Sequence, residues 1–151
     1  MIHPKQLVLA SANPGKIKEL QELLADQGIS ILPQGDLNIT DIEETGLTFV
    51  ENAILKARNA AALSGLPAIA DDSGLEVDYL LGAPGIYSAR YAGIGATDST
   101  NREKLLAALV EVPTESRNAR YQTVIVYLRH AEDTTPIICQ GTWEGYIALE
   151  P

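Results

Sequence analysis

The order of elements predicts an α/β protein: a β-sheet with helices on its faces, parallel in one part and antiparallel in another. Two observations predict it. Short apolar runs alternate with helix-period segments through the first two thirds of the chain. A β-branched, aromatic-rich run, a turn and a second such run then close it as a hairpin.

The elements follow in order. "QLVLA" (residues 6–10) reads as a buried strand and "SANPGK" as the turn-rich loop after it. A helix is predicted from Gly15 to Gln27, because Ile17, Leu20 and Leu24 share one stripe and Gly28 can stop it. "SIL" (30–32) is a second strand, followed by a loop to Leu47. The next helix starts at Thr48, with Thr48 and Glu51 in capping-box positions; Val50, Ile54, Ala57 and Ala61 make its apolar stripe, and Gly65 and Pro67 end it. "AIA" (68–70) is the third strand. Residues 74–93 mix apolar positions with Gly-Pro turns and point to no single element. A helix over Ser99–Val110, capped by Asp98, closes before Pro113. "ARYQTVIVYLRH" (119–130) and "IICQGTWEG" (137–145) are the strands of the hairpin.

The 151 residues suit one domain, and 46% hydrophobic against 21% charged residues suits a packed core. A net charge of −9 opposes nonspecific binding of nucleic acid polymers, so a small anionic substrate would need local cations or a metal. No apolar run is long enough to span a bilayer. Met1–Lys5 leads directly into the first strand without an export signal, and Cys139 has no cysteine to pair with, so a cytoplasmic setting is expected. His3 and His130 are far apart in sequence and are expected at the surface or at strand ends rather than as metal ligands.

Three stretches could carry chemistry. "SANPGK" lies at a strand–loop–helix junction, where amide N–H groups and a helix N-terminus attract anions; Lys16, Ser11 and Asn13 add polar groups. It is not a Walker loop, since Ala10 and Ile17 replace the required glycine and hydroxyl residues. On spacing alone, anion binding and an ordinary helix start stand level. "IEETGLTF" places Glu43 and Glu44 near a helix start, where favourable charge–dipole placement suffices as an explanation. Asn52, Lys56 and Asn59 form a polar stripe on the following helix, which reads as a solvated face or as the wall of a phosphate cleft. "DDSG" follows a core strand, and the carboxyl ends of such strands hold functional groups. Asp71 and Asp72 should point to opposite sides of an extended chain, so that one faces a given cleft. A carboxylate there could bind Mg²⁺ or take a proton from water; an Asx turn is the plain alternative. Together the stretches are compatible with Mg²⁺-dependent phosphate chemistry.

"LASANPGK", "EETGLTFVENAILKA", "AIADDSGL" and "GAPGIYSARYAG" closely resemble, in order, motifs of the house-cleaning dITP/XTP (inosine triphosphate) pyrophosphatases, the HAM1 or RdgB kind. The resemblance implies an elongated mixed sheet flanked by helices, with a substrate cleft between two lobes. It implies a Mg²⁺-dependent homodimer that converts dITP, ITP and XTP to the monophosphate and pyrophosphate. Carried over residue by residue, the phosphate loop falls on Ser11, Ala12, Asn13, Pro14, Gly15 and Lys16. The metal ligands fall on Glu44 and Asp72, the general base on Asp72 and a substrate contact on Ser73; Lys56 matches a lysine near the phosphates, and Asp71 and Glu43 are given supporting roles.

One departure stands out. The family pattern continues with "GFGYDP", a later lysine and "SHR", which build much of the purine pocket. This sequence ends at "GTWEGYIALEP"; its one phenylalanine is Phe49, and Arg129-His130 has the reverse order. The expectation is a single C-terminally truncated domain, 1–151, with the phosphate and metal half of the site, lacking the base-recognition half and leaving apolar surface exposed. The alternatives are a Maf-type pyrophosphatase, against which "DDSGLEV" and "GAPGIYSARYAG" argue, a non-catalytic nucleotide- or phosphate-binding protein, and a structural subunit pairing through its sheet.

Overall fold

A computed structural model describes residues 6–150. The expectations for His3 and for Met1–Lys5 lie outside these residues. One five-stranded sheet has the order β2-β1-β3-β4-β5. The chain divides into two compact units: one runs to Asp72 and includes Val124–Cys139, the other comprises Ser73–Thr123 and the chain from Gln140.

In the first unit, β1 (Gln6–Leu9) pairs in parallel with β2 (Ser30–Pro33) and with the start of β3 (Ala68–Val77). Strand alternation sorts the side chains onto two faces. Leu7, Leu9, Ile31 and Ile69 pack against Ile17, Leu20 and Leu24 of α1 (Pro14–Ala25). Val8, Ala10, Ala68, Ala70, Val126 and Leu128 pack with Ala53, Ala57, Ala60 and Ala61 of α2 (Phe49–Ser64). Four buried alanines on one helical face let that helix lie close to the sheet. Gly65 ends α2 at φ 69°, a left-handed conformation that glycine adopts without a Cβ clash.

The second unit has its own core of Val77, Leu105, Leu109, Val112 and Ala119, to which α3 (Asp98–Ala108) contributes Leu105. Buried Arg117 donates to the carbonyls of Leu109 (2.6 Å), Val112 (2.9 Å) and Ala148 (3.1 Å), satisfying three acceptors with one side chain. Strands β4 (Asn118–Leu128) and β5 (Ile137–Tyr146) are neighbours. The cross-strand bonds Arg120–Glu144 and Gln122–Thr142 run in opposite directions and make the pair antiparallel. The mixed sheet expected from the sequence is therefore present. Every residue of β5 is exposed, among them Ile137, Ile138, Trp143 and Tyr146.

Four local expectations change. The third strand does not stop at Ala70 but runs to Val77, so the paired acids lie inside it. They still stand beyond the carboxyl end of β1, because Leu9, its last residue, is opposite Ile69. Helix α1 spans Pro14–Ala25, one residue earlier at its start, since Asn13 is its cap and proline suits the first turn. Helix α3 is Asp98–Ala108 and is capped by Thr97, whose hydroxyl pairs reciprocally with Thr100; Asp98 is its first residue. The box at Thr48 is open on one side: Thr48 Oγ1 accepts from the Glu51 amide (3.3 Å), while the Glu51 carboxylate reaches past the cap to the Leu47 amide (2.9 Å). The Thr48 hydroxyl and the Leu47 amide hold the Glu51 carboxyl below its usual range. Among the described residues no helix is long and apolar enough to cross a membrane.

Candidate active site

The site residues of the first unit gather around the carboxyl ends of β1 and the parallel part of β3. The turn after β1 begins at Ser11, whose Oγ accepts the Asn13 amide at 3.1 Å. The Asn13 side chain accepts the amides of Gly15 (2.9 Å) and Lys16 (3.2 Å). These are two of the orphan donors of the helix start, so Asn13 itself occupies part of the anion-attracting set. Ala12, Asn13, Pro14 and Gly15 are exposed, and Ser11 and Ala12 line a hollow of about 410 Å³ with Ile17, Gln34 and Asp41.

The adjacent aspartates serve different lysines. Asp71 follows Ile69 on the α1 face and accepts Lys16 Nζ at 2.5 Å. Asp72 follows Ala70 on the α2 face, 3.8 Å from Lys56 Nζ. Both acids are buried. The opposite orientations expected from strand alternation are what is observed, but Asp71 is as much engaged as Asp72. Its bond to Lys16 is the contact that sequence reasoning left unspecified. The available signal was a buried acid one residue out of phase with Asp72.

Glu44 approaches from the segment before α2 and takes a 2.8 Å bond from Lys56 Nζ. Lys56 thus stands between two carboxylates, Glu44 and Asp72, which are brought together from positions 28 residues apart. The side chains are largely shielded, at 17% exposure for Lys56, 22% for Glu44 and 9% for Asp72. Two acids so close repel unless a cation lies between them, and the ammonium meets that need. Glu43 is exposed and His130 is exposed just after β4. Ser73 follows Asp72 in β3 as the first residue of the second unit and is half-buried.

The polar stripe on α2 is not a solvated face. Asn52 is fully buried and accepts the Gly46 amide at 2.8 Å; Asn59 donates to the Thr40 carbonyl at 3.4 Å. Among the described residues no group of three or more His, Cys, Asp or Glu side chains is arranged to hold a metal ion. Glu44 and Asp72 supply two hard oxygen donors that already converge on one cationic group. Such a pair suits Mg²⁺, which is commonly held by one or two carboxylates, with water and substrate phosphates completing its shell.

The sequence profile of the Ham1 family matches residues 7–151. The chain belongs to the Ham1 family. It is 61% identical to a dITP/XTP pyrophosphatase of Yersinia pseudotuberculosis over 147 residues, which cover 97% of this chain and 75% of that protein. The dITP/XTP pyrophosphatase of Escherichia coli strain K12 is 59% identical over the same shares. Among solved structures, a HAM1 protein from Coxiella burnetii superposes with a TM-score of 0.91 at 51% identity, over 97% of this chain and 74% of that one. The Ham1 protein of Staphylococcus aureus gives 0.83 at 42% identity, over 96% and 73%.

Proposed function

We propose that this Ham1-family chain, taken as one domain, is a nucleoside triphosphate pyrophosphohydrolase. It would convert the noncanonical purine nucleotides dITP, ITP and XTP to the monophosphate and pyrophosphate. The observation that carries the reading is the convergence of Glu44 and Asp72 on one cationic position, in a chain about 60% identical to dITP/XTP pyrophosphatases.

Water displaces pyrophosphate from the nucleotide: a P–O bond to water forms and the P–O bond to the leaving pyrophosphate breaks. Asp72 would take the proton from that water, since it stands on the opposite face of β3 from Asp71, which engages the phosphate-loop lysine. Lys16, oriented by Asp71, offers a cation to the phosphates at the start of α1, where the helix dipole adds positive potential. Ser11 to Gly15 would contour the loop against the phosphates, and Ser73 would contact substrate beside Asp72. Lys56 balances the charge of the two acids. Mg²⁺, held by Glu44 and Asp72, would supply neutralisation of the phosphate charge. The overall charge of −9 makes such local cations necessary for a polyanionic substrate. A homodimer in the cytoplasm completes the proposal; the exposed lone Cys139 suits a reducing compartment.

Product analysis tests it. ITP with Mg²⁺ is expected to yield IMP and pyrophosphate. Orthophosphate as the first product would overturn the mechanism, and tight Mg–ITP binding without turnover would favour a binding protein instead.

A further inference from the structure

We infer that Asn52 is a positioning residue for Glu44: it docks Gly46 onto the first turns of α2 and thereby sets the Glu44 carboxylate against Lys56. The inference rests on the reading of Glu44 as a ligand of the catalytic metal. Residues 39–46 form neither helix nor strand, so no ladder holds a carboxylate carried there. Its placement depends on a few side-chain anchors. Three lie on α2: Asn59 to the Thr40 carbonyl, Glu51 to the Leu47 amide and Asn52 to the Gly46 amide. Of these anchors only Asn52 is fully buried, at 0% exposure.

The approach at Gly46 is close enough to exclude any side chain. A Cβ built there would lie 2.6 Å from Asn52 Oδ1 and 2.7 Å from Glu51 Cβ. Asn52 and Lys56 are one helical turn apart on the same face. The contacts therefore close a small ring: Asn52 to Gly46, two residues back along the chain to Glu44, across to Lys56 Nζ at 2.8 Å, and one turn of α2 back to Asn52. The ring makes the Glu44 position a consequence of the Asn52 bond.

The side chain also carries a cost that a packing role would avoid. Asn52 Nδ2 is buried and has no hydrogen-bond partner among the described residues. An unmet buried donor is destabilising, and an apolar side chain of similar volume would remove it. Retaining an amide at this point favours the placement of Gly46 over the stability of the core.

The test compares the wild-type protein with Asn52→Leu and Asn52→Asp. The leucine keeps the volume without the acceptor; the aspartate keeps the acceptor oxygen. Amide hydrogen exchange at Gly46 reads the dock directly, Mn²⁺ titration of the nucleotide-free protein reads the carboxylate set, and ITP kinetics read turnover. Asn52→Leu should lose Gly46 protection by at least about tenfold, bind Mn²⁺ about tenfold more weakly and lose about 10–100-fold in kcat with KM little changed, as expected when the support of a metal ligand is removed. Asn52→Asp should restore Gly46 protection and recover most of the loss in kcat. Wild-type Gly46 exchange and Mn²⁺ affinity in Asn52→Leu would overturn the inference, as would an aspartate variant that falls as far as the leucine one. If Asn52→Leu does not fold, the aspartate variant and Gly46→Ala, which pushes the same contact apart from the other side, decide by the same readouts. A wild-type protein that releases no pyrophosphate would defeat the proposed function alone, because Gly46 exchange still reads the dock.

Discussion

Two places in this molecule set one cation between two carboxylates, and they differ in kind. In the second unit Arg120 faces Asp78 and Glu144. Its guanidinium, on β4, makes four bonds of 2.7–3.1 Å, two to Glu144 of the neighbouring β5 and two to Asp78 just after β3. The acids are largely exposed, at 49% and 67%. In the first unit Lys56 faces Glu44 and Asp72, both mostly shielded, with one close contact and one of 3.8 Å. The planar fork of Arg120, itself 23% exposed, bonds both partners, whose carboxylates face solvent. The point charge of Lys56 lies among side chains that are only 17%, 22% and 9% exposed. A cation between two acids is therefore not by itself a site; what separates the two clusters is how far their carboxylates are shielded from water.

The sharpest way to break this contrast is at Asp72. Asp72→Asn should reduce turnover by about 10²–10⁴-fold, the usual range for a lost general base, with the melting temperature retained. Survival of activity would remove the base assignment. Lys56→Met comes next and should cost about 100-fold in kcat, comparable with removal of one preorganised charge-stabilising group; a drop confined to KM would mean that the lysine only binds phosphate. Arg120→Met should leave ITP turnover unchanged and lower the melting temperature slightly, with the difference shrinking in high salt, because exposed pairs are screened. A loss of turnover there would erase the distinction between the two clusters. The smallest effect concerns acid. The Arg120 guanidinium holds the Asp78 carboxyl below its usual range. A depressed folded-state value contributes stability above the ordinary carboxylate range, near about 4, which is lost as pH falls through the folded value. The denaturation midpoint of the wild type should therefore fall more steeply than that of Arg120→Met below about pH 4.

The family resemblance drew on motifs that are local in sequence, and local features read well. The strand "QLVLA", the cap at Thr48, the stop at Gly65 and the opposite orientations of Asp71 and Asp72 all follow from side-chain period and turn chemistry over a few residues. The third strand outruns its sequence expectation for an equally physical reason. Two acids, Ser73 and Gly74 have poor strand propensity, yet neighbouring strands and side-chain pairs such as Gln122–Glu76 carry the extended chain on to Val77.

By itself, the sequence determined the α/β class, the mixed sheet, the places where chemistry could sit and the membership implied by its motifs. Only the tertiary structure decided which lysine each aspartate meets, that Glu44 and Asp72 share Lys56, and that Asn52 is buried under Gly46 rather than solvated. The reason is range. Helix and strand periods record which face a residue takes, whereas a bond between positions 55 residues apart, or the meeting of two acids 28 residues apart at one lysine, depends on how separate elements pack, and no local pattern encodes that distance.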